Sequence, residues 1–127
     1  MNFIKYNGKR KYHCRYYRKT GNHPFLVIIV TEEKEKNGNI LISGFNITHS
    51  TMMVFGKPNR YIKLKKNPNP KDNKDSFVCI NLVKDIDAKY FTSPIFGWDI
   101  SKEDENVIDD VLSKKYPLIH KKLKRED

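Results

Sequence analysis

His23-Pro24-Phe25-Leu26-Val27-Ile28-Ile29-Val30, answered by Ile40-Leu41-Ile42-Ser43-Gly44-Phe45-Asn46-Ile47-Thr48-His49-Ser50-Thr51, is the stretch whose reading decides the fold. Pro24 has no amide proton, so a strand opens there and does not continue back through it. Phe25 to Val30 is an unbroken apolar run, the pattern of a strand buried on both faces. The charged segment Glu32 to Asn39, with Asn37-Gly38 as its sharpest turn signal, predicts a hairpin loop. Ile40 to Ile47 is then the partner strand, and Gly44 inside it marks a bulge or a sharp bend. That strand runs out into a cluster of hydroxyls and an imidazole.

Upstream, residues 10 to 18 place Tyr12, Tyr16 and Tyr17 between basic residues, a first strand or an extended arm. Thr20-Gly21-Asn22 signals the turn that follows. Downstream, Met52 to Phe55 either continues the core or forms a short helical turn. Arg60-Tyr61-Ile62-Lys63-Leu64-Lys65 reads as a half-exposed strand with a positive outer face. Asn67 to Lys74 is a loop, Ser76 to Val83 a buried strand, and Ala88 to Thr92 a further short strand. Ser101-Lys102-Glu103-Asp104 is a capping box. It leads into a helix with Val107, Ile108, Val111 and Leu112 as its apolar stripe and Asp104, Asp109 and Asp110 on its outer face. Pro117 is expected to stop that helix, and the charged residues from His120 onward to fray. Short antiparallel strands followed by one helix imply a mainly β (α+β) chain, a small, strongly bent barrel with a C-terminal α-helix at one end.

The 127 residues suit one domain, 1–127, with a basic N-terminal segment 1–20 and a charged tail 117–127. A net charge of +10 makes a polyanion the first partner to consider, against the plainer reading of charge as a solubility coat. Its distribution favours the former. Lys5, Lys9, Arg10, Lys11, Arg15, Arg18 and Lys19 crowd the first twenty residues with no acid among them. Cys14 and Cys79 lack metal-ligand spacing and read as free thiols. No apolar stretch is long enough for a membrane span and no signal-peptide core is present, so a cytoplasmic protein is expected. No cofactor motif and no metal cluster is visible.

At this point the sequence resembles the MazF/PemK (Kid) toxin family. Gly21 to Ile28 resembles that family's turn and second strand, and Ile40 to Thr51 resembles the next strand. Asp75 to Lys84 resembles the strand after it, and Ser101 to Leu112 falls at its C-terminal helix. The ToxN/AbiQ toxins share this order of elements. His23 stands where the family has Arg before Pro, and Asn81 replaces an acidic residue. The resemblance implies an SH3-like barrel, often dimeric and neutralised by an antitoxin. It also implies an endoribonuclease that cleaves single-stranded RNA without metal by 2′-hydroxyl attack.

Such cleavage needs a base, a cation for the charged phosphorane and an acid for the leaving oxygen. The resemblance would set Arg18 or Lys19 against the phosphate and Thr48, Ser50 or Thr51 as hydrogen-bonding partners. His49 and His23 are the acid–base candidates, an imidazole having a reference pKa of about 6.5. Each is weighed against an ordinary surface or strand-end role. Arg15, Tyr16 and Tyr17 offer stacking faces beside cations, or else an edge strand. Arg60, Lys63 and Lys84 would extend the RNA-binding surface. The alternative is a non-catalytic barrel, from a phage or mobile element, that binds nucleic acid or an acidic protein partner through its basic face.

Overall fold

A computed structural model describes residues 2–3, 12–19, 21, 23–33, 39–55, 59–92 and 98–126. Lys5, Lys9, Arg10 and Lys11, the flanks Thr20 and Asn22, and the Asn37-Gly38 turn lie outside these residues. The strands are β1 (Asn2–Phe3), β2 (His13–Tyr17), β3 (His23–Glu33), β4 (Asn39–Thr48), β5 (Tyr61–Lys63), β6 (Phe77–Cys79), β7 (Val83–Asp87) and β8 (Trp98–Asp99). The helices are α1 (Thr51–Val54), α2 (Lys102–Lys115) and α3 (Pro117–Glu126), with a 3₁₀ turn at Ala88–Tyr90. The chain is mainly β with a helical C-terminal end, as its pattern predicts. The strands pair antiparallel in the order β5-β6-β4-β3-β2-β8, with β1 added on β3 and β7 on β4.

The β3–β4 hairpin is the spine, and its two faces bury two clusters. Leu26, Ile28, Ile29, Phe45 and Ile47 face Ile108 and Leu112 of α2, together with Tyr12, Cys14, Leu64, Val78 and Ile100. Phe25, Val27 and Ile42 face Phe91, with Val83, Ile86 and Ala88 packed around them. Burial on both sides is why Phe25 to Ile29 could be apolar without alternation.

Irregular pairing bends the sheet. Val27 pairs with Gly44 and Ile29 with Ser43, so Ile28 is an extra residue and both isoleucines reach the helix-side core. On the other edge of β4, Ile42 pairs with Ile86 and Gly44 with Val83. Asp85, at φ +59°, takes up the slack there, its amide donating to the Ser43 hydroxyl at 2.9 Å. The bend expected at Gly44 is therefore carried by the residues opposite it.

Several local expectations are corrected. The Ser76–Val83 strand is split into β6 and β7, because β6 pairs with one end of β4 and β7 with its other half. Ala88 to Thr92 is the 3₁₀ turn plus a single Tyr17–Phe91 bridge. Pro117 stops α2 as expected, that helix ending at Lys115 with Tyr116 as its C-cap, but the helical region goes on beyond it. Pro117 opens α3, where its missing amide proton costs nothing because first-turn amides have no intrahelical acceptor. Ile119 and Leu123 of α3 pack on the core in place of a frayed tail. Tyr116, between the two helices, donates its hydroxyl to the Ile80 carbonyl and accepts from the Leu82 amide, both at 2.9 Å.

The α2 stripe also differs. Ile108 and Leu112 are fully buried, a contribution of about 2 kcal/mol each, but Val107 is 42% exposed. Asp104, expected outside, is buried and does more than close the cap. Its amide donates to Ser101 Oγ at 3.1 Å, and its carboxylate accepts from that hydroxyl at 2.9 Å. It also accepts from the Lys65 amide at 2.8 Å and the Lys66 amide at 3.3 Å, stitching α2 to the loop after β5. Asp104→Ala strands those amides. A loss of about 2 kcal/mol, read as a shift in denaturant midpoint with unchanged slope, is the expected result.

His13 is buried beside Arg15, and burial together with that charge pushes its pKa down to about 3. The unfolded chain therefore binds a proton near pH 6.5 that the fold rejects. This stabilisation is complete above that pH and is lost as pH falls toward about 3. In urea titrations stability should drop by up to about 1.4 kcal/mol per pH unit in this window. His13→Gln should flatten that dependence.

Candidate nucleic-acid interface

Cross-strand register brings three polar and aromatic candidates, Tyr17, His23 and Thr48, to one face together with Asn46. Tyr17 pairs with His23 across β2 and β3, and Phe25 pairs with Asn46 across β3 and β4. Alternation places Tyr17, His23, Asn46 and Thr48 on the same side of the sheet. Thr48 pairs with Phe77, which pairs with Lys63, so Tyr61 and Cys79 lie on this side too. Between these strands and β7 lies a cleft of about 460 Å³, lined by Tyr17, His23, Asn46, Ile47, Thr48, Tyr61, Cys79, Val83 and Ile86. Its floor is mostly apolar and its walls are aromatic, with an imidazole, an amide and a hydroxyl as polar groups.

His23 is exposed at the mouth, where β3 begins. Thr48 Oγ1 accepts from the Ser50 amide at 3.1 Å, a turn that ends β4 and holds the hydroxyl in place. Tyr17 is braced from behind by Phe91 and Phe25, with ring centroids 5.1 and 6.3 Å away. Lys63 stands two strands from Thr48, about 10 Å across the sheet, and pairs with Asp75 at 3.5 Å where both are exposed. Arg60 and Lys84 are exposed next to the lining residues Tyr61 and Val83. Lys63 is thus a cation on the cleft side of the sheet, while Arg60 and Lys84 adjoin lining residues in sequence.

The other candidates are placed elsewhere. His49 turns away from the cleft: its Nδ1–H donates to the Asp75 carbonyl at 3.0 Å, with Ser76 Oγ 3.3 Å away. Its Nε2 lies 4.0 Å from Asp72. The Lys74 amide, and after it His49, hold the Asp72 carboxyl below its ordinary pKa. This imidazole pins the loop between β5 and β6. Arg15 is buried, its Nε donating to the Thr92 carbonyl at 2.7 Å and its guanidinium over Phe91. Desolvation lowers its pKa, as expected of a core cation rather than an RNA contact. Tyr16 accepts from the Asn69 side chain at 3.3 Å. Ser50 is half-buried and Thr51 exposed, beside the cleft but not lining it. Arg18 and Lys19 follow Tyr17 at the end of β2, near the 3₁₀ turn, and do not line the cleft.

Asn46, Tyr61, Cys79, Val83 and Ile86 were not foreseen as site residues. The alternation of Arg60 to Lys65 carried part of the signal, since it puts Tyr61 and Lys63 on one face. Which strand would face them was invisible without the register. Cys14 and Cys79 are both free thiols; burial pushes the Cys14 thiol up to about 12, leaving it inert, while Cys79 sits in the cleft wall. Among the described residues no group of three or more His, Cys, Asp or Glu side chains could hold a metal, and no helix is long and apolar enough to cross a membrane. No protein-family model, curated protein or solved structure matches this chain.

Proposed function

We propose that the cleft takes a segment of single-stranded RNA, and that His23 is the acid–base residue of a metal-independent, toxin-like endoribonucleolytic cleavage. The observation that carries this reading is one cleft lined by Tyr17 and Tyr61 together with His23 and Thr48, with Lys63 on the same side of the sheet. Aromatic walls stack on unpaired bases of any sequence, while cations beside them meet the phosphates. Thr48 is positioned to hydrogen-bond the phosphate or ribose, and Asn46 offers a donor and an acceptor to a base edge. The MazF/PemK resemblance supplies the reaction class, and with it an antitoxin and a homodimer as partners.

The alternative, a non-catalytic barrel that only binds, is favoured by a specific finding: Arg18, Lys19 and His49 lie outside the cleft. His23 is then the sole imidazole among the cleft-lining residues. The two readings separate in one experiment, purified protein with end-labelled single-stranded RNA in EDTA. Products ending in a 2′,3′-cyclic phosphate support the enzyme, whereas retention of intact RNA supports the binder. Tyr61→Ala removes one stacking wall and should weaken RNA binding by about tenfold in a fluorescence titration. Unchanged affinity would remove the cleft as the RNA site.

A further inference from the structure

Three cations outside the cleft, Arg18, Lys19 and Lys89, are gathered at one place. The end of β2 is tied to the 3₁₀ turn by the Arg18 amide on the Tyr90 carbonyl at 2.7 Å and the Thr92 amide on the Tyr16 carbonyl at 3.0 Å. Arg18 Nη2 adds a bond to the Lys89 carbonyl at 2.9 Å. Two ammoniums, Lys19 and Lys89, sit 5.0 and 5.2 Å from the Tyr90 ring centroid. Whichever side of the ring each takes, they are within about 10 Å of one another, a Debye length at moderate salt. The neighbouring carboxylate, Asp87, is turned to the backbone, where it accepts from the Lys89 amide at 2.9 Å and offsets part of the charge.

Arg18, Lys19 and Lys89 are all exposed. Side chains this long and flexible could spread apart, and contact with the ring compensates only part of their mutual repulsion. The cluster also adjoins the cleft. Tyr17, a cleft wall, precedes Arg18 in the chain and bridges to Phe91, the residue after Tyr90. We propose that Arg18, Lys19 and Lys89 around Tyr90 form a second nucleotide subsite. It takes the phosphodiester and base that follow the nucleotide held in the cleft, so that the RNA strand crosses Tyr17 on its way to the 3₁₀ turn. This rests on the cleft reading above and extends it from a pocket to a path.

The test compares a labelled dinucleotide with a labelled octanucleotide RNA on the full chain, with Lys89→Glu, Tyr90→Ala and Tyr61→Ala as variants. Lys89 is exposed, and circular dichroism checks that its variant is folded. The octanucleotide should bind the parent chain at least about tenfold tighter than the dinucleotide, since it reaches both subsites. Lys89→Glu should remove that gain, flatten the octanucleotide's log–log salt dependence by about 0.7 per lost phosphate contact, and leave dinucleotide binding unchanged. Tyr90→Ala should lower octanucleotide affinity alone. If Lys89→Glu binds the octanucleotide as the parent does, while Tyr61→Ala loses both ligands, the subsite is refuted and the cleft stands. Equal weakening of both ligands by Lys89→Glu also refutes it, since the charge would then act on the cleft itself. If Lys89→Glu weakens the octanucleotide and Tyr61→Ala changes nothing, the cationic cluster binds RNA by itself, and the cleft reading falls together with the path through both.

Discussion

His23→Ala is expected to slow cleavage of single-stranded RNA by at least about 100-fold while changing RNA affinity by less than about threefold. The imidazole is exposed at the cleft mouth, opposite Tyr17 in the β2–β3 register, where a ribose would pass between the aromatic walls. On the proposed reading its removal takes away the proton-transfer group but leaves the stacking surfaces of Tyr17 and Tyr61. His49→Ala is the natural contrast. That imidazole bonds the Asp75 carbonyl and borders Ser76, so its loss should loosen the loop between β5 and β6 and lower stability, with cleavage falling only as folding does. Initial rates with end-group analysis in EDTA, beside titrations with uncleavable RNA, separate the two. Equal rates for His23→Ala and the parent would end the assignment of His23.

Gly44→Ala should destabilise the fold by more than about 3 kcal/mol, the upper range for overpacking a core. A Cβ at Gly44 would overlap the Leu26 carbonyl oxygen and press on the Phe25 ring at 2.8 Å. The first obstacle is backbone in the central strand pair, and it cannot swing aside as the end of a flexible side chain would. Gly44 also sits between the two register shifts, paired with Val27 on one edge and Val83 on the other, so relief on one side compresses the other. Both β2–β3 and β7 would have to move, and the cleft with them. A denaturant midpoint close to the parent's would show that the bend tolerates a side chain.

Much of the fold was readable in the residues. The Phe25–Val30 run, the Glu32–Asn39 break and the Ile40–Ile47 run define a hairpin because apolar length and turn chemistry are local signals. Ser101 marks the start of α2 for the same reason, and its hydroxyl accepts from the Asp104 amide as a capping box requires. Pro117 ends α2 as read from the sequence, but the helix that follows it was not legible there. A proline both ends one helix and suits the first turn of another, and only the packing of Ile119 and Leu123 on the core decides that the second one forms.

The site was less legible than the fold. Tyr17, His23 and Thr48 were candidates by residue type and meet in one cleft. His49, chemically the more suggestive neighbour, faces a loop more than twenty residues away in the chain. Arg15 looked like part of a basic surface and is a core cation, because its charge is satisfied by the Thr92 carbonyl and the Phe91 ring. Strand alternation sets which side a residue takes relative to its neighbours, but not which side faces water.

What the chain determined by itself is therefore its class, its central hairpin, its helix start and its clustering of positive charge. These depend on spacing along the sequence, where hydrophobic period, turn residues and caps act within a few positions of one another. Tertiary structure alone decided that β5, β6 and β7 close a cleft over the end of β4, that His23 and not His49 looks into it, and that Lys89 joins Arg18 and Lys19 around Tyr90. Those outcomes turn on cross-strand register and on two irregular pairings beside Gly44. A shift of one residue there moves every side chain of a strand to the opposite face, and no local pattern encodes it.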